Sequence, residues 1–110
     1  MALASKKCVP CKGSIPPLSK VEAERMMDKV EGWVLIDEAS KLSRSFSFPN
    51  FAEAQVFANR VGELSEMENH HPVISYSWGW CSVVFYTHKI GGLHENDFIM
   101  AAKLNAMTSA

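Results

Sequence analysis

The segment Leu42-Ser43-Arg44-Ser45-Phe46-Ser47-Phe48 leaves this chain the fewest structural choices. It sets three serines on one side and Leu42, Phe46 and Phe48 on the other, the period-two pattern of a strand with one buried face. Such a strand needs an apolar cover, and the next stretch supplies one. Pro49-Asn50 ends the strand, Asn50 with Glu53 reads as a capping box, and Phe51, Ala54, Phe57, Ala58, Val61 and Leu64 recur at helical spacing to about Met67. Pro72 prevents continuation and biases His71 toward extended geometry, so the helix is expected to end close to His70.

The same two periods recur on either side. Ser19 and Glu22 form a capping box before Ala23, Met26, Met27 and Val30, and Gly32 supplies a stop. Trp33 to Asp37 suits a short strand, joined to Leu42–Phe48 by a link short enough for an antiparallel hairpin. Downstream, Ile74, Tyr76 and Trp78 alternate with Val73, Ser75 and Ser77, and Cys81, Val83 and Phe85 alternate with Ser82, Val84 and Tyr86. Gly79 sits between them, where a tight turn wants positive φ. Beyond Gly91-Gly92, a last helix from about Glu95 offers Phe98, Ile99, Ala102 and Ala106 as its buried face. Helix, two strands, helix, two strands, helix is the order of an α+β domain, an antiparallel sheet with helices packed on one face.

A length of 110 residues suits one domain, and 47% hydrophobic residues exclude wholesale disorder. No apolar run approaches the ~20 residues of a membrane span. Met1-Ala2-Leu3-Ala4 is too short for a secretory core, so a cytoplasmic setting is expected. Residues 1–18 read as a flexible tail and 19–110 as the single domain. Lys6, Lys7, Lys12 and Lys20 lie in a stretch without acids, but no aromatic platform or basic stripe accompanies them, so no direct contact with nucleic acid is expected. Cys8-Val9-Pro10-Cys11 is half of a four-thiolate zinc site, and only Cys81, inside an apolar run, remains. The pair is read as exposed thiols, and Cys81 as core.

All four histidines, His70, His71, His88 and His94, lie beyond residue 69. The dense stretch is Glu66-Met67-Glu68-Asn69-His70-His71-Pro72. If the helix persists, Glu66 and His70 are four apart on one face, and the carboxylate can orient the imidazole. His88 follows Thr87 just past a strand, and Asp97 opens the last helix; three imidazoles and two carboxylates near element ends could line one cleft. Each has an ordinary structural reading when taken singly. Glu66 suits a solvated helix surface, His70 a helix end, His71 a turn before proline, and Asp97 a helix N-terminus. Trp33, Trp78 and Trp80 are large apolar anchors first and stacking surfaces second. Taken together, the cluster leaves two chemistries open. One is a metal site built from His70, His71, His88 and Glu66; the other is metal-free acid–base catalysis on a small heterocycle. Adjacent histidines tend to point apart, and H-E-x-x-H is absent, which weighs against the metal.

The string Glu66-x-x-x-His70-His71-Pro72, then Trp78, His88 and Asp97 at their observed spacings, is similar to the signature of the pterin-4a-carbinolamine dehydratases. Gly32-Trp33, Phe46-x-Phe48-x-x-Phe51 and the final helix resemble the same family, over roughly residues 19–107. The Lys6–Cys11 tail with Pro16-Pro17-Leu18 resembles the extension of its bacterial and plant-type members. The resemblance implies a four-stranded antiparallel sheet with three helices on one side, in a homodimer or homotetramer. It implies loss of water from 4a-hydroxytetrahydropterin to give quinonoid dihydropterin, in tetrahydrobiopterin recycling, with no metal or organic cofactor. By the same resemblance His70 and His88 are the acid–base pair and His71 helps to place the pterin. Glu66 orients His70, Trp33 walls the ring, and Thr87 and Asp97 have a binding or supporting role. His94 matches no signature position. Animal members also bind a transcription factor and stabilise its dimer, so a non-catalytic protein-binding role is the alternative.

Overall fold

The computed structural model describes residues 2–10 and 12–108. Helix α1, Lys20–Met26, opens at Ser19 through a full capping box: the Glu22 N–H donates to the Ser19 hydroxyl (3.1 Å) and the Ser19 N–H to the Glu22 carboxylate (2.8 Å). These bonds, the backbone one first, hold the Glu22 carboxyl below its ordinary pKa. Strands β1, Val34–Ile36, and β2, Lys41–Ser47, form the expected antiparallel hairpin. Its turn uses no glycine; Asp37, Glu38 and Ala39 all take left-handed φ, at 51°, 56° and 63°. The Ser40 N–H closes the turn onto the carbonyls of Ile36 and Asp37.

Helix α2 covers Phe51–Glu68, with the Asn50 side chain accepting from the Glu53 N–H at 2.9 Å. Strands β3, Val73–Ser77, and β4, Trp80–Phe85, follow, joined through Trp78 and Gly79 with Gly79 at φ 88°. Helix α3 is Glu95–Thr108. The four strands make one antiparallel sheet in the order β1-β2-β4-β3. Leu42 opposite Phe85 and Phe46 opposite Cys81 set the register, which keeps Leu42, Phe46, Cys81, Val83 and Phe85 on the buried face. Helices α2 and α3 pack on that face. Ser43, Ser45, Ser47, Ser75, Ser77 and Ser82 alternate onto the other face, where the Ser45 and Ser82 hydroxyls meet at 2.5 Å.

Two expectations change. Trp33 does not stand at a ligand surface. It is 4% exposed, packs against Phe46 and Phe85 with ring centroids 6.2 and 5.8 Å apart, and donates its indole N–H to the Asn105 side-chain oxygen (2.8 Å). Two residues before Leu35, which stands opposite Leu42, Trp33 shares the buried face of the sheet. The buried face of α3 also differs: Ala106 is exposed, whereas Asn96 through Ala102 are buried in an unbroken run. The reason lies in residues 2–10, read from the sequence as a tail. They lie along α3 on the side away from the sheet, with Leu3 in the core cluster, Lys103 donating to the Ala4 carbonyl (2.8 Å) and Lys6 paired with Glu95 (2.9 Å). Among the described residues, no helix is long and apolar enough to cross a membrane.

Because Trp33 joins both strands of the core to α3, Trp33→Ala should cost about 3–5 kcal/mol of stability, the range for large aromatic truncations. Chemical denaturation of the full chain measures it; a loss under about 1 kcal/mol would contradict the packing role.

Candidate active site

The site begins where α2 ends. Asn69 adopts the left-handed conformation (φ 52°, ψ 42°), and the His70 N–H closes back onto the Ser65 carbonyl at 3.1 Å. The chain therefore leaves the helix one residue before His70, so the four-residue spacing from Glu66 no longer places the two side chains together. His70 instead meets the Asp97 carboxylate through Nε2 at 2.6 Å, and its ring stacks on Phe85. His71 turns the other way, and its Nε2 pairs with Glu66. The expected Glu66–His70 partnership is thus replaced by two imidazole–carboxylate pairs, one buried and one exposed.

The buried pair is tightly built. Asp97 is 0% exposed and accepts from the Thr87 hydroxyl (2.8 Å) and the His94 N–H (3.0 Å) as well as meeting His70. Three sequence-distant segments therefore converge on one carboxylate: the exit from α2, the end of β4 and the first turn of α3. A buried anion needs such partners, since an unpaired one costs several kcal/mol. His94, incidental by its sequence position, has a structural role, because its Nδ1 accepts the Asn96 N–H at 3.0 Å and caps α3.

His88 opens a short 3-10 turn, His88–Ile90, and its ring lies 4.1 Å from that of Tyr86. The loop is closed by a bridge between Thr87 and Gly92, with the Thr87 N–H on the Gly92 carbonyl at 2.8 Å. Gly92 is required there, because a Cβ would sit 2.7 Å from Pro17 Cβ. The result is a cleft of about 260 Å³ on which His70, His71, His88 and Thr87 all open, with Tyr86 and Asn96. Asp97 stands behind His70, and Glu66 reaches the cleft only through His71. Trp33 is not part of the lining. Among the described residues, no group of three or more His, Cys, Asp or Glu side chains is arranged to hold a metal ion.

The sequence reading missed Asn69, Tyr86, Lys89 and Asn96, and above all Val9 and Pro10 of the N-terminal segment, which line the same cleft. Tyr86 and Lys89 flank Thr87-His88 and were within reach of a local reading. Nothing in the spacing of Val9 and Pro10 relates them to residues sixty positions away.

An α+β domain with two imidazole–carboxylate pairs and a third histidine around one cleft defines a candidate acid–base enzyme that works on a small molecule. Residues 16–107 match the profile of the family described as pterin 4 alpha carbinolamine dehydratase, and the chain belongs to that family. A protein of Methylococcus capsulatus whose name places it among these dehydratases is 56% identical over 108 residues, covering 98% of this chain and 95% of its own. One from Rubrobacter xylanophilus, named in the same way, is 52% identical over 105 residues, covering 96% and 97%. The crystal structure of a transcriptional coactivator/pterin dehydratase from Brucella melitensis is similar with a TM-score of 0.78 at 29% identity, covering 84% of this chain and 99% of that one. A pterin dehydratase-like protein identified as a RuBisCO assembly factor in the alpha-carboxysome shares the fold, with a TM-score of 0.61 at 20% identity, over 73% and 93%.

The expectation of two exposed thiols fails for Cys8, and Cys11 lies outside the described residues. Cys8 is half-buried, and its thiol is pushed up from 9.0 to about 12, by burial first and then by the Glu68 carboxylate. Burial also raises the Cys81 thiol. A thiol so protonated at neutral pH is a poor nucleophile. Iodoacetamide at pH 8 should therefore alkylate Cys8 at least about tenfold more slowly than the same cysteine in an unfolded peptide. The rate should keep climbing above pH 9 rather than levelling there, as peptide mapping by mass spectrometry would record. Equal rates at pH 8 would contradict the buried, protonated state.

Proposed function

We propose that this protein removes water from a 4a-hydroxytetrahydropterin to give the quinonoid dihydropterin, and that it does so by histidine acid–base catalysis without a metal. The observation that carries this reading is the opening of His70, His71 and His88 on one cleft, with Asp97 fixing His70 from behind. Family membership supplies the substrate class.

The reaction breaks the C4a–O bond and forms the C4a=N5 bond. The leaving oxygen needs a proton and departs as water, while the N5 proton goes to a base, so one donor and one acceptor suffice. An imidazole can fill either role near neutral pH. With Nε2 engaged by Asp97, His70 has Nδ1 left for the exchange with substrate. Asp97 sets the tautomer and the ring direction, in the manner of the buried carboxylate of a hydrolytic triad. His88, on an exposed turn across the cleft, completes the acid–base pair. His71, braced by Glu66, places the pterin. Thr87 serves indirectly, by holding Asp97. Glu66 is thus assigned to His71 and not to His70. The catalytic unit is assigned to residues 19–110 together with the N-terminal segment that borders the cleft, and the active form to a homo-oligomer in the cytoplasm.

His70→Ala and His88→Ala should each lower kcat by about a hundredfold or more, the scale of lost general acid–base catalysis. Asp97→Asn should act like His70→Ala, because the amide oxygen is retained by the Thr87 hydroxyl and the His94 N–H, so an N–H donor faces His70 Nε2 and reverses its tautomer. Stopped-flow dehydration of a synthetic 4a-hydroxytetrahydropterin is the assay, and activity should survive exhaustive chelation. A wild-type chain without turnover would favour the non-catalytic, protein-binding role instead; normal turnover by the double histidine variant would reject the residue assignment.

A further inference from the structure

The N-terminal segment is held more firmly at the cleft than packing requires. Asn96 is 2% exposed, and both ends of its amide are spent on one residue: the Val9 N–H donates to Oδ1 (3.0 Å), and Nδ2 donates to the Val9 carbonyl (2.6 Å). One residue earlier, the Cys8 N–H donates to the Glu68 carboxylate from α2 (2.9 Å). Glu68 also faces the Lys103 ammonium at 3.7 Å, so the anchor spans two helices. Three backbone groups of two consecutive residues are thus matched by buried or half-buried side chains. The side chains that follow, Val9 at 57% exposure and the exposed Pro10, are left as an apolar border to a cleft otherwise lined by imidazoles, hydroxyls, amides and Lys89.

We propose that the Cys8–Pro10 segment is the outer wall of the histidine cleft, that Val9 and Pro10 pack on the bound bicyclic ring, and that Asn96 is the positioning residue that holds this wall. The proposal rests on the dehydratase reading and adds to it a determinant of substrate binding. The first turn of α3 then does two adjacent jobs: Asp97 orients a proton-transferring imidazole, and Asn96 sets the surface against which the heterocycle lies. A flat ring between polar imidazoles and an apolar border loses water from the border side on binding, which favours affinity. Proton transfer needs nothing from the wall, so the wall belongs to KM and not to kcat.

The test uses the full chain. Asn96→Ala removes both bonds to Val9 while leaving the Asn96 backbone N–H on His94. It should raise KM for 4a-hydroxytetrahydropterin at least about fivefold with kcat changed less than about twofold. Trypsin should also cut after Lys6 or Lys7 at least about tenfold faster, since cleavage follows local opening. A second variant, Val9→Gly with Pro10→Gly, keeps the clasp, which uses only backbone atoms of Val9, and removes the border. It should weaken binding of 7,8-dihydrobiopterin, followed by fluorescence titration, by a similar factor. Faster trypsin cleavage in Asn96→Ala with an unchanged KM overturns the proposal and leaves the dehydratase reading standing. Should Asn96→Ala fail to fold, unchanged pterin affinity in the glycine variant overturns it equally. A wild-type chain that neither dehydrates the carbinolamine nor binds the dihydropterin overturns both.

Discussion

Fold and site in this protein are tied together by the carboxylate of Asp97. It is wholly buried, and each of its partners comes from a different element: His70 after α2, Thr87 after β4, and the His94 N–H at the start of α3. A charge in that position is tolerated only while its donors stay in place. The same bonds fix the angle at which α3 leaves the loop, the depth of His70 and the path of residues 87–92. A change that loosens the α3 N-terminus therefore also releases an imidazole.

The two imidazole–carboxylate pairs differ in kind. His70 and Asp97 are both buried, joined to each other and with the His70 ring stacked on Phe85. His71 and Glu66 have side chains 54% and 77% exposed, so water screens their attraction and both can move. A rigid inner group and an adjustable outer one suit a division between proton transfer and substrate placement. His88 stands between these extremes, exposed but held against Tyr86 on a loop closed by the Thr87–Gly92 bridge.

Much of the fold could be read from local pattern. The Ser19–Glu22 box, the α2 helix from Phe51, both hairpins and the helix after Gly91-Gly92 stand where the periodicity put them. Capping boxes and alternation act over a few residues, so their outcome is decided locally. His70, His71, Thr87 and His88 were legible as neighbours around one cleft, but their partners and the rest of the lining were not. Glu66 and His70 have the spacing of a helical pair, yet Asn69 turns left-handed one residue too soon. Trp33 has the composition of a ring-stacking residue, yet the register of β1 on β2 turns it into the core. The unbroken burial of Asn96 through Ala102 and the lining by Val9 and Pro10 had no local signal, because both involve a segment that returns across the length of the chain.

Residue types at short range were enough to specify the elements, the α+β class and the family, and to single out the three histidines that open on one cleft. Which carboxylate pairs with which imidazole, and that Val9 and Pro10 line the cleft, emerged from the folded chain alone. Those outcomes depend on where the chain turns by one residue and on contacts between segments far apart in sequence. Such contacts form only when the sheet has its register and α3 has docked upon it.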